Sequence, residues 1–298
     1  MRRGFGNLFP QPHRYETMIR LIRSNLLRAY RNLIVWVSVV LQFCITFFYT
    51  LIYKFTNPLY STADSAFFTG FTLLVFPFTG MITIFACITV LAADFDNRAI
   101  VLKLQAGFSK YEIYLAGFLS SIIIGLTLYA THLVTYCVIS IPVLGKPTMP
   151  TEYLTAVLAI SLLSELVYAA LSVFSVSVCR KTVNSLCVAL GVLLFTTIMM
   201  FFSEQLPEYA YMLYDCVHAY TPGQTEDIVD SMYGYMHWIN FKNTAKSEFF
   251  YNFFIAGNAS KIFYRSPLNL WQIIPFAIAK ITFLFGTGFI VAGRRDIK

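Results

Sequence analysis

Long blocks of apolar residues place the strongest constraint on how this chain can fold. A helix rises 1.5 Å per residue, so about 20 apolar residues cross the hydrocarbon layer of a bilayer. The sequence predicts six such spans within a single transmembrane domain that covers residues 1–298. The predicted spans are 33–53, 67–92, 113–141, 153–178, 186–203 and 270–292.

The composition agrees with this prediction. Only 12% of the 298 residues are charged, 57% are hydrophobic, and the mean hydropathy is +0.65. A soluble domain would carry about a quarter charged residues. We therefore expect an all-α membrane protein rather than soluble domains.

The distribution of Lys and Arg predicts the orientation in the membrane. If the N-terminus is cytoplasmic, 15 of the 22 basic residues fall in cytoplasmic segments. Cytoplasmic loops are the ones enriched in Lys and Arg. We expect a multi-pass protein of the plasma membrane with both termini in the cytoplasm. The net charge of +7 then reflects this bias and contact with anionic lipids, and nucleic acid is not an expected partner.

Two flanking segments also carry patterns. Residues 14–32 predict an amphipathic helix in the cytoplasmic interface, although a plain juxtamembrane anchor would give the same pattern. Residues 204–269 predict a helical extracellular segment, rich in aromatic residues that suit either the membrane interface or an external gate. The predicted apolar stripe of the first helix consists of Tyr15, Met18, Ile19, Ile22, Leu26, Tyr30 and Leu33, with Arg20, Arg28 and Arg31 on the far face.

The stretch DFDNRAIVLKLQAGFSKYE, residues 94–112, separates the second and third predicted spans. Asp94 or Asp96 can cap a helix over 98–105, and Gly107 suits the left-handed position after its end. Ser109 and Glu112 then form the spacing of a capping box that starts the next span. The predicted helix is too apolar for a solvated link, so it needs a membrane surface or a partner.

This stretch resembles the coupling-helix region of ABC type-2 transporter permeases. The final residues GFIVAGRRDIK resemble the usual C-terminus of that family, and the six-span layout is similar. The family often has Pro where Ala106-Gly107 stands and Lys where Gly117 stands. The resemblance implies the membrane subunit of a bacterial ABC exporter with the type V exporter fold.

The resemblance also implies partners and contact residues. Two ATPase subunits would bind ATP and Mg, and a second permease subunit would complete a homo- or heterodimer. The implied ATPase-coupling residues are Asp94, Asp96, Arg98, Ile100, Val101, Leu102, Lys103, Leu104, Gln105 and Gly107.

Motifs for chemistry within the chain itself are missing from its sequence. It has no G-x-x-x-x-G-K-[ST] phosphate loop, no H-E-x-x-H and no G-x-S-x-G. We expect no catalytic residues, no metal site and no cofactor in this chain, with ATP hydrolysis by a partner.

Ionisable residues inside spans are costly and are candidates for function. Glu165 and Lys280 lie near the centres of the fourth and sixth predicted spans, where they could pair, either as a buried strut or along a substrate path. His132 lies in the outer half of the third span. It could be a hydrogen-bonded structural residue or a proton relay.

The sequence thus predicts an exporter subunit for an amphipathic or hydrophobic cargo, with a peptide favoured. The alternative is a non-transporting membrane sensor or scaffold that uses the extracellular segment as a receptor.

Overall fold

The computed structural model describes residues 12–56, 77–145, 151–198 and 270–294, together with Asn252. Within these ranges the regular structure is entirely helical and contains no strand. The predicted extracellular segment 204–269 lies outside the described residues, apart from Asn252, which is buried.

Nine α-helices and one π-helical turn make up the described part of the chain. The π-helical turn, Tyr136–Ser140, connects the helix Lys110–Thr135 to the helix Ile141–Leu144 without a break. The α-helices are α1 (Pro12–Arg31), α2 (Leu33–Thr56), α3 (Pro77–Asp96), α4 (Ala99–Gln105), α5 (Lys110–Thr135), α6 (Ile141–Leu144), α7 (Thr151–Cys179), α8 (Thr182–Ile198) and α9 (Leu270–Arg294).

Five helical segments of the described ranges are long and apolar enough to cross a membrane. The chain is therefore a multi-pass membrane protein. α8 is apolar but shorter within the described ranges, and residues 199–203 of the fifth predicted span lie outside them. The five segments are Leu33–Ile52, Phe78–Asp96, Lys110–Leu144, Thr151–Cys179 and Leu270–Arg294.

The centre of the bundle is α7, which packs against α3, α5 and α9. Tyr168 and Leu171 of α7 are fully buried and pack with Ile84 and Ile88 of α3 and Leu193 of α8. Serines of α7 are buried too, and each hydroxyl donates to a carbonyl of the same helix, which allows close helix packing. These serines are Ser161, Ser164, Ser172, Ser175 and Ser177.

α1 packs alongside α5, and this packing sets its buried face. Leu21 clusters with Ile113 of α5, and the Tyr30 hydroxyl hydrogen-bonds the Thr127 hydroxyl at 2.8 Å. Ile19 of the predicted apolar stripe is 63% exposed, so it does not belong to the face against α5. A helix that contacts both protein and membrane needs apolar residues on two faces, so a single stripe does not describe it. The buried face consists of Leu21, Asn25 and Ala29.

Candidate coupling site around helix α4

The connection from α3 to α4 is a sharp turn at Asn97 and Arg98. α3 continues through Asp96, and the Asn97 N–H still donates to the Ala93 carbonyl at 3.0 Å. The prediction that Asp94 or Asp96 caps α4 is therefore wrong. The N-cap is Arg98, in the left-handed region with φ 56°, and it makes no side-chain capping hydrogen bond. The two carboxylates belong to the last turn of α3, where they interact with residues that are distant in the sequence.

The end of α4 has the predicted glycine geometry. Gly107 has φ 93°, and its N–H donates to the Leu104 carbonyl at 3.0 Å. The next N–H, of Phe108, donates to the Lys103 carbonyl at 3.2 Å. This pair of hydrogen bonds is a Schellman motif, which satisfies the last carbonyls of a helix.

The start of α5 has the predicted capping box. The Glu112 N–H donates to the Ser109 hydroxyl at 3.2 Å, and the Ser109 N–H donates to the Glu112 carboxylate at 2.8 Å. α5 therefore begins at a fixed point, only a few residues after α4 ends. α4 and α5 are therefore joined by a short, hydrogen-bonded turn.

Asp94 is the centre of a network that joins three helices. Its side chain accepts from Arg28 of α1 on one oxygen, and from the Lys103 ammonium of α4 at 2.8 Å on the other. The same ammonium donates to the Asn25 side-chain oxygen at 2.8 Å. We call these four residues, Asn25, Arg28, Asp94 and Lys103, the Asp94 cluster. It fixes α4 to both α1 and α3.

Interactions within the Asp94 cluster and burial both shift the pKa values of its two cations. The hydrogen bond with Asp94 raises the pKa of Arg28 above its ordinary value, although burial opposes this. Burial lowers the pKa of Lys103, and the neighbouring carboxylate of Asp94 opposes that shift. Asp94 itself is only 5% exposed, so its two cationic partners are what compensate a largely desolvated carboxylate.

α4 has two distinct faces. Ile100 is buried in a cluster with Leu21, Ile113 and Ala116, and Val101 and Leu104 are half-buried against it. Leu102, by contrast, is 67% exposed. We call Arg98, Leu102 and Gln105 the outer face of α4, because all three are exposed and they follow helical spacing.

Aromatic side chains in the first turns of α5 pack against the end of α9. Tyr111 stacks on Phe289 with ring centroids 4.5 Å apart, and the Tyr114 hydroxyl donates to the Phe285 carbonyl at 3.1 Å. Glycine makes this approach possible, because a Cβ on Gly288 would lie 2.3 Å from the Tyr114 hydroxyl oxygen. The start of α5 is thus held at the α4 end of the bundle on two sides.

The link between α7 and α8 reaches the same end. The Thr182 hydroxyl donates to the Asp96 carboxylate, which ties the start of α8 to the end of α3. Arg180, just before this contact, adopts a left-handed conformation with φ 57°. Asp96 therefore has a structural partner that its position in the sequence did not indicate.

The predicted intramembrane pair is not formed. The carboxylate of Glu165 accepts a hydrogen bond from the Thr83 hydroxyl of α3 at 2.8 Å. Among the described residues, the ion pairs with an acidic side chain involve Asp94, and Glu165 has none with Lys280. Equal depth in two predicted spans does not fix the direction in which a side chain leaves its helix. Glu165 is buried toward α3 and α5, where it also lies near Gly125.

His132 belongs to a polar line between α2 and α5. Its Nδ1 lies 2.9 Å from the Thr46 hydroxyl and 3.2 Å from the Gln42 amide nitrogen. One turn further, the Thr50 hydroxyl lies 2.7 Å from the Ser140 hydroxyl, in the π-helical turn. We call these five residues the α2–α5 seam. Sequence reasoning found only His132, although Gln42, Thr46 and Thr50 recur every four residues in the first span.

Comparisons with known proteins add no family. No model of a known protein family matches this sequence, and no curated protein is significantly similar to it. Within the described ranges, no group of three or more His, Cys, Asp or Glu side chains is placed to hold a metal ion.

Proposed function

We propose that this chain is the membrane subunit of an ABC-type exporter, and that a separate ATPase subunit docks on the outer face of α4. One observation carries the proposal. α4 presents an exposed face that includes Leu102, while the Asp94 cluster fixes its opposite side to α1 and α3. A short helix that is both exposed and firmly anchored suits the transmission of force from a partner.

The anchoring suggests how movement reaches the spans. A push on Leu102 moves Lys103, whose ammonium holds both Asp94 of α3 and Asn25 of α1. The Schellman motif and the capping box carry the same movement into α5. Closure of two ATPase subunits on ATP and Mg would then tilt these helices in each of two permease subunits. The energy comes from the partner, and this chain supplies no chemistry of its own.

The positions of the cations support a cytoplasmic location for α4. In the described ranges, Lys and Arg lie on α1 or at the α4 end of the bundle, apart from Lys54 at the opposite end and Lys280 within α9. Positive charge favours the cytoplasmic side of a membrane. The proposed setting is the plasma membrane, with both termini in the cytoplasm.

The proposed cargo is amphipathic or hydrophobic, and a peptide is favoured. The aromatic residues of 204–269 and the apolar spans support this choice. The alternative, a sensor or scaffold, rests on the same segment 204–269, and no contact among the described residues favours it.

The test compares two equally exposed apolar residues at the same end of the bundle. Leu102 is 67% exposed on α4, and Val183 is 69% exposed on α8. Leu102→Ala and Val183→Ala would each be co-expressed with any ATPase whose gene lies beside that of this chain. We expect Leu102→Ala to lower ATPase co-purification and transport-stimulated ATP hydrolysis, and Val183→Ala to leave both near wild type.

Two results would overturn the proposal. One is the absence of any ATPase that co-purifies with the wild-type chain. The other is an unchanged rate of stimulated hydrolysis when Leu102→Asp is combined with Arg98→Glu on the outer face of α4. Either result would favour the sensor or scaffold.

A further inference from the structure

The helix formed by α5, the π-helical turn and α6 contains one extra residue near the end opposite to α4. The π-helical turn, Tyr136–Ser140, interrupts a helix that is otherwise α-helical from Lys110 to Leu144. The Ile141 N–H donates to the Tyr136 carbonyl, five residues back, whereas an α-helix uses the carbonyl four residues back. Turns of this kind are rare and are frequent at functional sites.

Pro142 accounts for the position of this turn. Proline has no backbone N–H, and in an α-helix its ring collides with the carbonyl four residues back. That carbonyl belongs to Val138, which lies inside the π-helical turn. The wider turn lets the helix continue past Pro142 into α6. An alanine at this position would restore the N–H and remove the collision, so it would favour an ordinary α-helical turn.

The helix is held more firmly before the turn than after it. At the start of the turn Tyr136 is buried, whereas no residue of α6 is buried. Within the described ranges, two hydrogen bonds from α2 hold the far end. The Thr50 hydroxyl lies 2.7 Å from the Ser140 hydroxyl, and the exposed Lys54 ammonium donates to the Val143 carbonyl at 2.9 Å. Two contacts of this strength keep a second arrangement of this end within reach, at a population of about 0.1–10%.

The second arrangement follows from helix geometry. If the π-helical turn becomes α-helical, the residues after it rotate by about 100°, which is the rotation of one residue in an α-helix. Ser140 then leaves Thr50, and Ile139 takes its direction. The Val143 carbonyl rotates away from Lys54 in the same step. Ile139 is half-buried and Ser140 is buried, so the change replaces a hydroxyl contact with an apolar one.

We propose that the π-helical turn is a register joint, at which α6 switches between the π-helical register and an α-helical one while α5 stays in place. Pro142 biases the joint towards the π-helical register. The switch lets the end of this span move against α2 without disturbing the contacts of His132 in the α2–α5 seam. It is independent of the proposed exporter function, because it requires neither an ATPase nor a cargo.

The experiment is disulfide trapping in the purified full chain, with Cys137→Ser as the background and copper phenanthroline as the oxidant. Thr50→Cys with Ser140→Cys reports the π-helical register, and Thr50→Cys with Ile139→Cys reports the α-helical one. Peptide mass spectrometry identifies each disulfide and gives its rate of formation. We expect the Ser140 pair to form faster, and the Ile139 pair to form at roughly a few per cent of that rate, as a minor state would.

Pro142→Ala should raise the rate of the Ile139 pair relative to the Ser140 pair by about tenfold or more, because the bias against an α-helical turn is removed. Val143→Ala is the matched control, since it changes the next residue and keeps the proline, and it should leave the ratio unchanged. Absence of the Ile139 disulfide in both chains overturns the second register, and an equal change in Val143→Ala overturns the role of Pro142. If Pro142→Ala does not fold, the two pairs in the chain with Pro142 decide whether the second register exists.

Discussion

The Asp94 cluster and the α2–α5 seam perform the same structural task with different chemistry. Each ties a helix from the first part of the chain to the rest of the bundle. The Asp94 cluster uses full charges, between Asp94 and the cations Arg28 and Lys103. The α2–α5 seam uses hydroxyl, amide and imidazole groups around His132.

The positions of these two networks explain the difference. The Asp94 cluster lies at the end of the spans, where Arg28 keeps 38% of its side chain exposed. The seam lies inside the predicted spans, where an ionised group costs far more and neutral hydrogen bonds between helices contribute about 1 kcal/mol each. Charge therefore anchors α4 at the bundle end, whereas neutral contacts and packing hold the interior. Four experiments test this division.

The largest effect is expected from Asp94→Ala. It leaves the partly buried cations Arg28 and Lys103 without their shared partner, and removal of one member of a buried ion pair costs roughly 3 kcal/mol. Thermal and denaturant unfolding of the purified chain measure the loss. Asp96→Ala is the control, because Asp96 is exposed and removes only its contact with Thr182. Equal losses in the two variants would show that the network around Asp94 has no special role.

Packing in the interior is tested by two glycines. A Cβ on Gly80 would lie 2.5 Å from the ring of Tyr168, which is fully buried in α7. The nearest atoms to a Cβ on Gly125 lie 3.7 Å away, at an ordinary contact distance. Gly80→Ala should therefore lose about 2 kcal/mol of stability through overpacking, and Gly125→Ala should be nearly neutral. Similar unfolding curves for the two variants would argue against the close approach of α3 to α7.

A smaller effect is expected in the α2–α5 seam. His132→Leu and Gln42→Leu each remove one partner of a buried hydrogen bond, and each should cost about 1 kcal/mol. The double variant should lose less than the sum, because the two residues share an interaction. The readout is the free energy of unfolding in all four proteins of the cycle. Strict additivity would mean that the contact between His132 and Gln42 contributes nothing to stability.

Local signals in the sequence predicted local structure well. The left-handed Gly107 and the capping box of Ser109 and Glu112 depend on neighbours within a few residues, so the sequence alone specifies them. The starts of the first and last described spans, at Leu33 and Leu270, were also predicted. Apolar length is a property of a segment and needs no tertiary information.

Partners across the bundle could not be read in the same way. Asp94 was expected to cap α4, but its partner Arg28 lies 66 residues away in the sequence. Arg28 belongs to α1 and was predicted to lie on the face away from the apolar stripe. The face of α1 that packs on the bundle was not predicted, because the position of α5 determines it. Glu165 was matched by depth with Lys280, yet Thr83 of α3 is its partner. In each case the missing information is the rotation of one helix against another.

The smallest expected effect is the coupling energy between Glu165 and Lys280. It tests whether the ends of the bundle are charged and its interior is neutral. An ion pair between them would place full charges inside the spans, and its double-variant cycle would show coupling well above the usual error. The structure instead gives Glu165 the Thr83 hydroxyl as a partner. The losses of Glu165→Ala and Lys280→Ala should therefore add to within about 0.5 kcal/mol. Glu165→Gln is the companion variant, because its amide oxygen can still accept from Thr83, and it should be milder than Glu165→Ala. A coupling energy of 2 kcal/mol or more in the cycle, roughly the scale of a buried pair, would indicate an ion pair inside the bundle. The distinction between a charged bundle end and a neutral interior would then be lost.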